Sequence, residues 1–444
     1  VVVGNPPWSV LKKAKNESEE EFKRRTALLD GAGTETARRV LKARGLGDVA
    51  DDYRNPGGVP DLPFLWRAAE WAKPGGILAF ALDARFILKQ TETGIRARNA
   101  WFQAMQVSGI LNGSDLEKTP VWGGHDQSWI LLWSKNEKPE LETQAFHLAT
   151  PVREDALARR GEFRLDYQSA YQVTAQSVLD SPWLCKALAI GSTLDVQVME
   201  KLCRIAKKRS IGSFWQSDDP VSCRGLDIRP FKPRKCPDWL IDLEVFDGEE
   251  PGLLDNGTYP TYRERHGDRE PKHTKSEYNF LSPVTCFRRG PGETRDSSKS
   301  HRLPQRKMAF SKNFFGYTAH WHKDSGLLCA LLHVIAHSQL FQHFSFMRSG
   351  QMGARKRILD KSDIDSFPFP NIDKLTKEQR EEALRLANML DAQGEKNWEA
   401  LDAFVGRLFD LTKAEQQVVT DTVTFNGPYA VMREQAMRSV PPDE

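Results

Sequence analysis

Four consecutive residues near the start of the 444-residue chain, Asn5-Pro6-Pro7-Trp8, carry groups that suit one kind of target. The Asn5 carboxamide oxygen and the Pro6 carbonyl both accept hydrogen bonds. The prolines have fixed φ and no N–H to donate, so the turn is rigid. A flat primary amine on an aromatic ring offers two N–H groups to those two acceptors. Holding both draws the amino nitrogen toward a tetrahedral state and frees its lone pair for attack. Trp8 adds a ring on which a base can stack, worth ~1–3 kcal/mol. The set suits an exocyclic amino group on a flat heterocycle. Other reactive residues form no such set. His333 and His337 are i, i+4 on one apolar helix without a third ligand, so no metal is expected. Pro60-Asp61 with Glu70-x-x-Lys73 is superficially like a nuclease metal site, but Glu70 belongs to a helical stretch.

Elements must position this turn. Val1–Val3 read as the end of a buried strand, since all-apolar runs suit parallel sheets covered on both faces. An amide leaving such a strand lies at the carboxyl edge, where open α/β sheets bind ligands. Helical patterns follow at 17–29 and 34–46. A further helix at 64–73 stops at Pro74-Gly75-Gly76. Residues 77–82 read as a strand, 87–105 as helical, 107–111 as a strand and 129–135 as an apolar strand. Strand alternating with helix predicts a doubly wound sheet. From about 212 to 325 short apolar pieces alternate with Pro, Gly, Asp and Arg, which predicts a loop-rich, mostly β domain. Residues 325–346 read as a strongly apolar helix, and 376–438 as helical, opening on a Thr-x-x-Gln capping box.

The stretch Gly4-Asn5-Pro6-Pro7-Trp8 resembles the Asn/Asp-Pro-Pro-aromatic motif of amino-group methyltransferases, and its Asn variant resembles the N6-adenine DNA methyltransferases. Related motifs also serve enzymes that modify RNA bases or a glutamine side chain. Residues 62–88, 94–103 and 119–135 resemble the blocks that follow in that family. The match puts Phe64 and Pro7 beside the cofactor, S-adenosylmethionine. It puts Trp122, with His125 as the other candidate, where an aromatic covers the second face of a flipped adenine stacked on Trp8. Residues 181–183, 307–318 and 331–372 resemble the target-recognition domain of TaqI-like, type II restriction–modification enzymes, including the type IIG and PglX-like groups. The resemblance implies that Asn5 and the Pro6 carbonyl hold the amine while its nitrogen takes the methyl group, with no metal.

The family's glycine-rich donor turn and its two following acids precede the Asn-Pro-Pro block, and no such turn is found elsewhere in this sequence. The expectation is therefore a C-terminal fragment, or one part of a split protein, partnered by an upstream methyltransferase segment and inactive alone. Without that segment the sheet is expected to expose an apolar edge.

Charge adds a partner. The net charge is only +3, yet residues 271–358 hold 15 Lys/Arg against four Asp/Glu, and seven of the ten histidines. This suggests a polyanion, here double-stranded DNA. Extracting a base costs a few kcal/mol, which phosphate contacts offset. Candidates are Arg288, Arg289, Arg302, Arg306, Lys307, Lys312, Arg348, Arg355, Lys356 and Arg357. No stretch approaches the ~20 apolar residues of a membrane span. No signal peptide is visible and the six cysteines form no CxxC pair, so a cytoplasmic protein is expected.

The predicted architecture is an α/β, partial doubly wound, Rossmann-like methyltransferase sheet (1–150), a connecting segment (151–200), a mixed α+β target-recognition domain (201–370) and a helical tail (371–444). The function expected is site-specific adenine methylation in restriction–modification or phage defence. A methyltransferase for RNA or protein glutamine, and a non-catalytic DNA-binding fragment, stay open.

Overall fold

The computed structural model describes all residues except 9–10, 57–59, 117–118, 123–127, 152–153, 166–168, 217–220, 229–235, 248–257, 268, 274, 291–294, 350–357 and 426–444. The chain divides into two compact units, Val1–Val196 and a second that begins at Gln197.

In the first unit six strands make one sheet: β1 (Val2–Gly4), β2 (Ile77–Asp83), β3 (Gln106–Asn112), β4 (Trp129–Lys135), β5 (Ala145–Ala149) and β6 (Ala170–Thr174), in the order β1-β2-β4-β3-β5-β6. The pairs β1–β2 and β3–β5 are parallel, and the other neighbours are antiparallel. The unit is thus α/β with a mixed sheet. One sheet face buries Leu78, Phe80 and Leu82 of β2 with Ile130 and Leu132 of β4. The helix Asp61–Trp71 packs on β2 and the helix Glu92–Ala104 on β3.

β1 forms the exposed apolar edge expected of the sheet, not the buried strand that its valines alone suggest. Among the described residues it lies at the sheet edge and pairs with β2 alone, and Val1 and Val3 are 87% and 75% exposed. Val3 stands beside Ala79, and Ala79 beside Trp133, on the less covered face, where Ile77 and Trp133 are also exposed. A valine-rich run records a preference for extended backbone, and burial needs cover that an edge position lacks.

The two helical patterns at 17–29 and 34–46 form one helix, Glu19–Ala43. Ser18 caps it in a box with Glu21. Gly31 and Gly33 suggest a break in sequence, but Gly33 is there for packing: a Cβ would come 2.6 Å from Pro63 Cγ. Conversely, the pattern at 87–105 splits into Arg85–Leu88 and Glu92–Ala104, with Thr91 capping the second piece. The strand expected near 107–111 is β3, and that expected at 129–135 is β4.

The second unit has an antiparallel sheet ordered β10-β9-β12-β7, made of β7 (Ser222–Arg224), β9 (Val284–Arg288), β10 (Ser300–Leu303) and β12 (Phe314–Thr318). A parallel pair joins β8 (Val245–Phe246) and β11 (Ala309–Phe310). Phe246, Tyr262, Phe280, Phe310 and Phe314 fill its core. The apolar stretch from Ser325 becomes two helices, Ser325–His337 and Gln339–Arg348, bent by 68° at Ser338. Its buried residues pack inside this unit, against β9, β10 and the helix Lys377–Asp391. Among the described residues no single helix is long and apolar enough to cross a membrane. The helices Trp398–Leu408 and Lys413–Phe425 pack on Gln339–Arg348, and the six cysteines are free thiols.

Candidate active site

β1 and β2 run parallel, so Gly4 and Asp83 end at the same edge of the sheet. Gly4 is fixed by packing: a Cβ there would lie 2.4 Å from Phe80 Cε1. The chain then leaves the strand as Asn5. Asn5 is exposed, and its carboxamide makes no hydrogen bond among the described residues. Pro6 is buried and Pro7 exposed. An exposed, uncommitted amide on a rigid, half-buried turn can accept hydrogen bonds from an incoming group without breaking any of its own.

Trp8 anchors the turn. It is 6% exposed and packs with Ala81, Leu116 and Trp129. Its indole Nε1–H donates to the Ala81 carbonyl at 3.1 Å. Arg85 completes the clamp, its Nη2 donating to the Trp8 carbonyl at 2.6 Å. Asp83 in turn fixes Arg85, accepting from its backbone N–H at 2.8 Å and pairing with its Nε at 3.0 Å. The turn is thus tied to the last residues of β2 at two points.

The aromatic residues predicted to sandwich a base are neighbours. Trp8 and Trp122 have ring centroids 5.6 Å apart, tilted by 42°, and Trp122 meets Trp129 at 4.9 Å. In this conformation Trp8 and Trp122 touch each other, so a ring between them requires them to separate. Trp122 is half-buried on the short turn Pro120–Trp122. The Trp129 indole N–H is buried without a partner among the described residues, which leaves a donor in the same cluster. His125 lies outside the described residues. Phe64 is 50% exposed on the outer face of Asp61–Trp71, and no ring contact joins it to the Trp8 cluster among the described residues.

Sequence reasoning missed Arg85 and Asp83, and noted Asp61 only in the nuclease-like pattern that it set aside. The signal was an Asp-Ala-Arg triplet at the end of a predicted strand, but its contact to Trp8 spans 77 positions and has no local pattern. Asp61 is 6% exposed beside them, and burial pushes its carboxyl up to about 6, with Arg85 opposing and Asp83 reinforcing the rise.

In the second unit most of the predicted phosphate-contacting cations carry partners. Lys312 pairs with Asp227 at 3.1 Å and Arg289 with Asp360 at 3.9 Å. Arg306 pairs with Glu244, and Lys307 with Glu277. Arg288 donates to the Ser298 carbonyl at 3.4 Å. Arg348 reaches the Cys203 sulfur at 3.5 Å and lies over Phe344. Arg302 is buried in an ion pair with Asp391, which takes it out of the set that can meet a phosphate. Arg355, Lys356 and Arg357 lie outside the described residues. Among the described residues no three His, Cys, Asp or Glu side chains converge as metal ligands.

No family model and no curated protein matches the sequence. Similar solved structures include the type IIL restriction–modification enzyme MmeI in complex with DNA, at 11% identity and TM-score 0.42, over 99% of this chain and 57% of that one. The type IIG restriction endonuclease BpuSI is similar at 12% identity and TM-score 0.32, over 94% of this chain and 53% of its own. A type I restriction–modification methyltransferase subunit from Streptococcus thermophilus is similar at 10% identity and TM-score 0.24, over 40% of this chain and 35% of that one. The chain spans about half the length of the first two.

Proposed function

We propose that this chain is the base-gripping and DNA-reading part of a site-specific DNA methyltransferase acting on N6 of adenine, in restriction–modification or another phage-defence system. One observation carries the reading: the Asn5 carboxamide stands exposed and uncommitted at the carboxyl edge of parallel strands, on a turn clamped by Ala81 and Arg85. An extruded adenine would give its two amino hydrogens to Asn5 Oδ1 and the Pro6 carbonyl. Trp8 is held in place, so Trp122 is the ring that would move to admit the base. The basic segment 271–358, with Arg355, Lys356 and Arg357, would meet duplex phosphates.

S-adenosylmethionine supplies an electrophilic methyl group in such reactions. The residues present do not fit that group. Among the described residues β1 leads into Asn5-Pro6-Pro7, and β2 into Asp83, which Arg85 already occupies. Neither is a glycine-rich turn that opens a helix. Phe64 and Pro7 are exposed and form no cradle by themselves. Donor binding is therefore assigned to a partner segment, and no step through the donor is derived. The same lack of a cradle favours a second reading, DNA binding without catalysis by this chain alone.

The test is the nucleoside content of DNA from a host that expresses the complete reading frame. N6-methyladenine is expected. Methylated RNA or methylglutamine without methylated DNA would overturn the reading. For the 444-residue chain alone, calorimetry with S-adenosylmethionine should show weak or no binding, and competition should show preference for duplex DNA over RNA.

A further inference from the structure

Past the end of β7 the chain of the second unit runs on as a short ribbon, residues 224–228, held between two other segments. On one side the Gly225 N–H donates to the Phe314 carbonyl at 2.9 Å and the Leu226 N–H to the Phe310 carbonyl at 2.8 Å. The Lys312 N–H returns to the Leu226 carbonyl at 2.8 Å. On the other side Ile228 bridges Pro271, and the Lys272 N–H donates to the Asp227 carbonyl at 2.6 Å. The close approach depends on Gly225. A Cβ there would fall 2.1 Å from the Ser311 carbonyl oxygen and 2.4 Å from that of Phe310, and backbone cannot yield as a side chain can.

This packing gathers cations. The Lys312 ammonium lies 3.1 Å from the Asp227 carboxylate and the Lys272 ammonium 3.9 Å from it. The Arg224 charge acts on the same carboxylate. Arg224 Nε donates to the Lys312 carbonyl at 3.2 Å, and the Lys275 ammonium to the Arg224 carbonyl at 2.5 Å. Arg224, Lys272, Lys275 and Lys312 thus meet around Asp227, four cations against one carboxylate among the described residues. Asp247, which Asn313 reaches at 3.4 Å, is already matched by Arg265 at 3.0 Å.

Other cations of this unit are matched one to one: Arg306 by Glu244, Lys307 by Glu277 and Arg289 by Asp360. Around Asp227 the backbone holds like charges together, and their mutual repulsion is relieved by an anion that bridges them. The donors are reachable. The Lys272 and Lys312 side chains are 56% and 53% exposed. Arg224 is half-buried, and its two terminal nitrogens make no hydrogen bond among the described residues. An open guanidinium fork beside a lysine suits phosphate oxygens. Cations spread over three neighbouring segments suit phosphates that repeat along a strand.

We propose that the ribbon 224–228, with Lys312, is a surface that binds the phosphate backbone of duplex DNA. The Arg224 terminal nitrogens and the Lys312 ammonium donate to phosphate oxygens, and Lys272 and Lys275 add to the local field. The proposal rests on the DNA partner of the preceding section and not on chemistry at Asn5.

The salt dependence of duplex binding by the 444-residue chain tests it. Arg224→Gln with Lys312→Gln should flatten the dependence of log affinity on log salt by about 2, near 0.9 per lost contact. Arg224→Lys with Lys312→Arg keeps both charges and should keep most of the slope. Lys377→Gln with Arg385→Gln removes the same charge from exposed positions on the helix Lys377–Asp391 and should leave the slope unchanged. An unchanged slope in the first variant would overturn the proposal, as would an equal loss in either of the other two. Preference for RNA over duplex DNA, or competition by inorganic phosphate alone as effective as by DNA, would also overturn it. No duplex binding by the unaltered chain would defeat the DNA reading itself; duplex binding with an unchanged slope would defeat only this surface.

Discussion

At the scale of single residues the account rests on which polar groups are committed. Among the described residues Asn5 has no hydrogen-bond partner, while Trp8 and Arg85 have theirs, so the turn is held and its amide is open to an incoming group. Asn-Pro-Pro-Trp could be read from the sequence because all four groups are adjacent. Arg85 could not, since its carbonyl partner is distant in the chain. Arg85→Ala should loosen the turn, raising hydrogen exchange of Trp8 and the residues beside it; Arg85→Lys should restore part of the protection. Unchanged exchange in Arg85→Ala would deny the clamp. Asp61 gives a pH test. Its carboxyl is raised to about 6 from 3.8 in the folded state, so folding favours its protonated form. The Asp61 contribution to stability is then full below about pH 4 and is lost as pH rises through about 6, amounting to at most about 3 kcal/mol. Asp61→Asn should therefore raise the urea midpoint at about pH 8 and leave it unchanged at about pH 4. A loss of stability at the higher pH would contradict the assignment.

At the scale of elements, patterns placed β2 and β4 well, because each is a short, mostly apolar run, and they placed β3 although Ser108 and Gly109 interrupt it. They failed where packing decided. The burial of β1 depends on cover that a valine run cannot report. The two predicted helices are one, Glu19–Ala43, and the close approach of Gly33 to Pro63 within it is a distant contact that no local pattern reports. Gly31 meets nothing within 4 Å, so the two glycines should behave oppositely. Gly31→Ala should stabilise by ~0.5–1 kcal/mol through helix propensity. Gly33→Val should destabilise by ~1–3 kcal/mol through overpacking. Paired urea melts decide it, and equal effects would remove the packing explanation for Gly33.

At the scale of the whole molecule, the charge asymmetry was visible as a count, but the pairing of those charges was not. Arg302 is buried against Asp391, and Arg306, Lys307 and Lys312 meet Glu244, Glu277 and Asp227. Much of the apparent excess is thus met within the unit. Replacing Arg355, Lys356 and Arg357 together with glutamine should flatten the dependence of log affinity on log salt by about 2–3, near 0.9 per lost phosphate contact. An unchanged slope would place the DNA contact elsewhere. The central claim is that Asn5 grips a flipped adenine, and the most direct measurement is Asn5→Ala in the complete reading frame, read by N6-methyladenine content and by duplex DNA affinity together. The account predicts that methylation falls by about 10²–10³, the usual cost of losing one hydrogen bond aimed at the reacting group, while DNA affinity is unchanged. Full methylation by Asn5→Ala would contradict it.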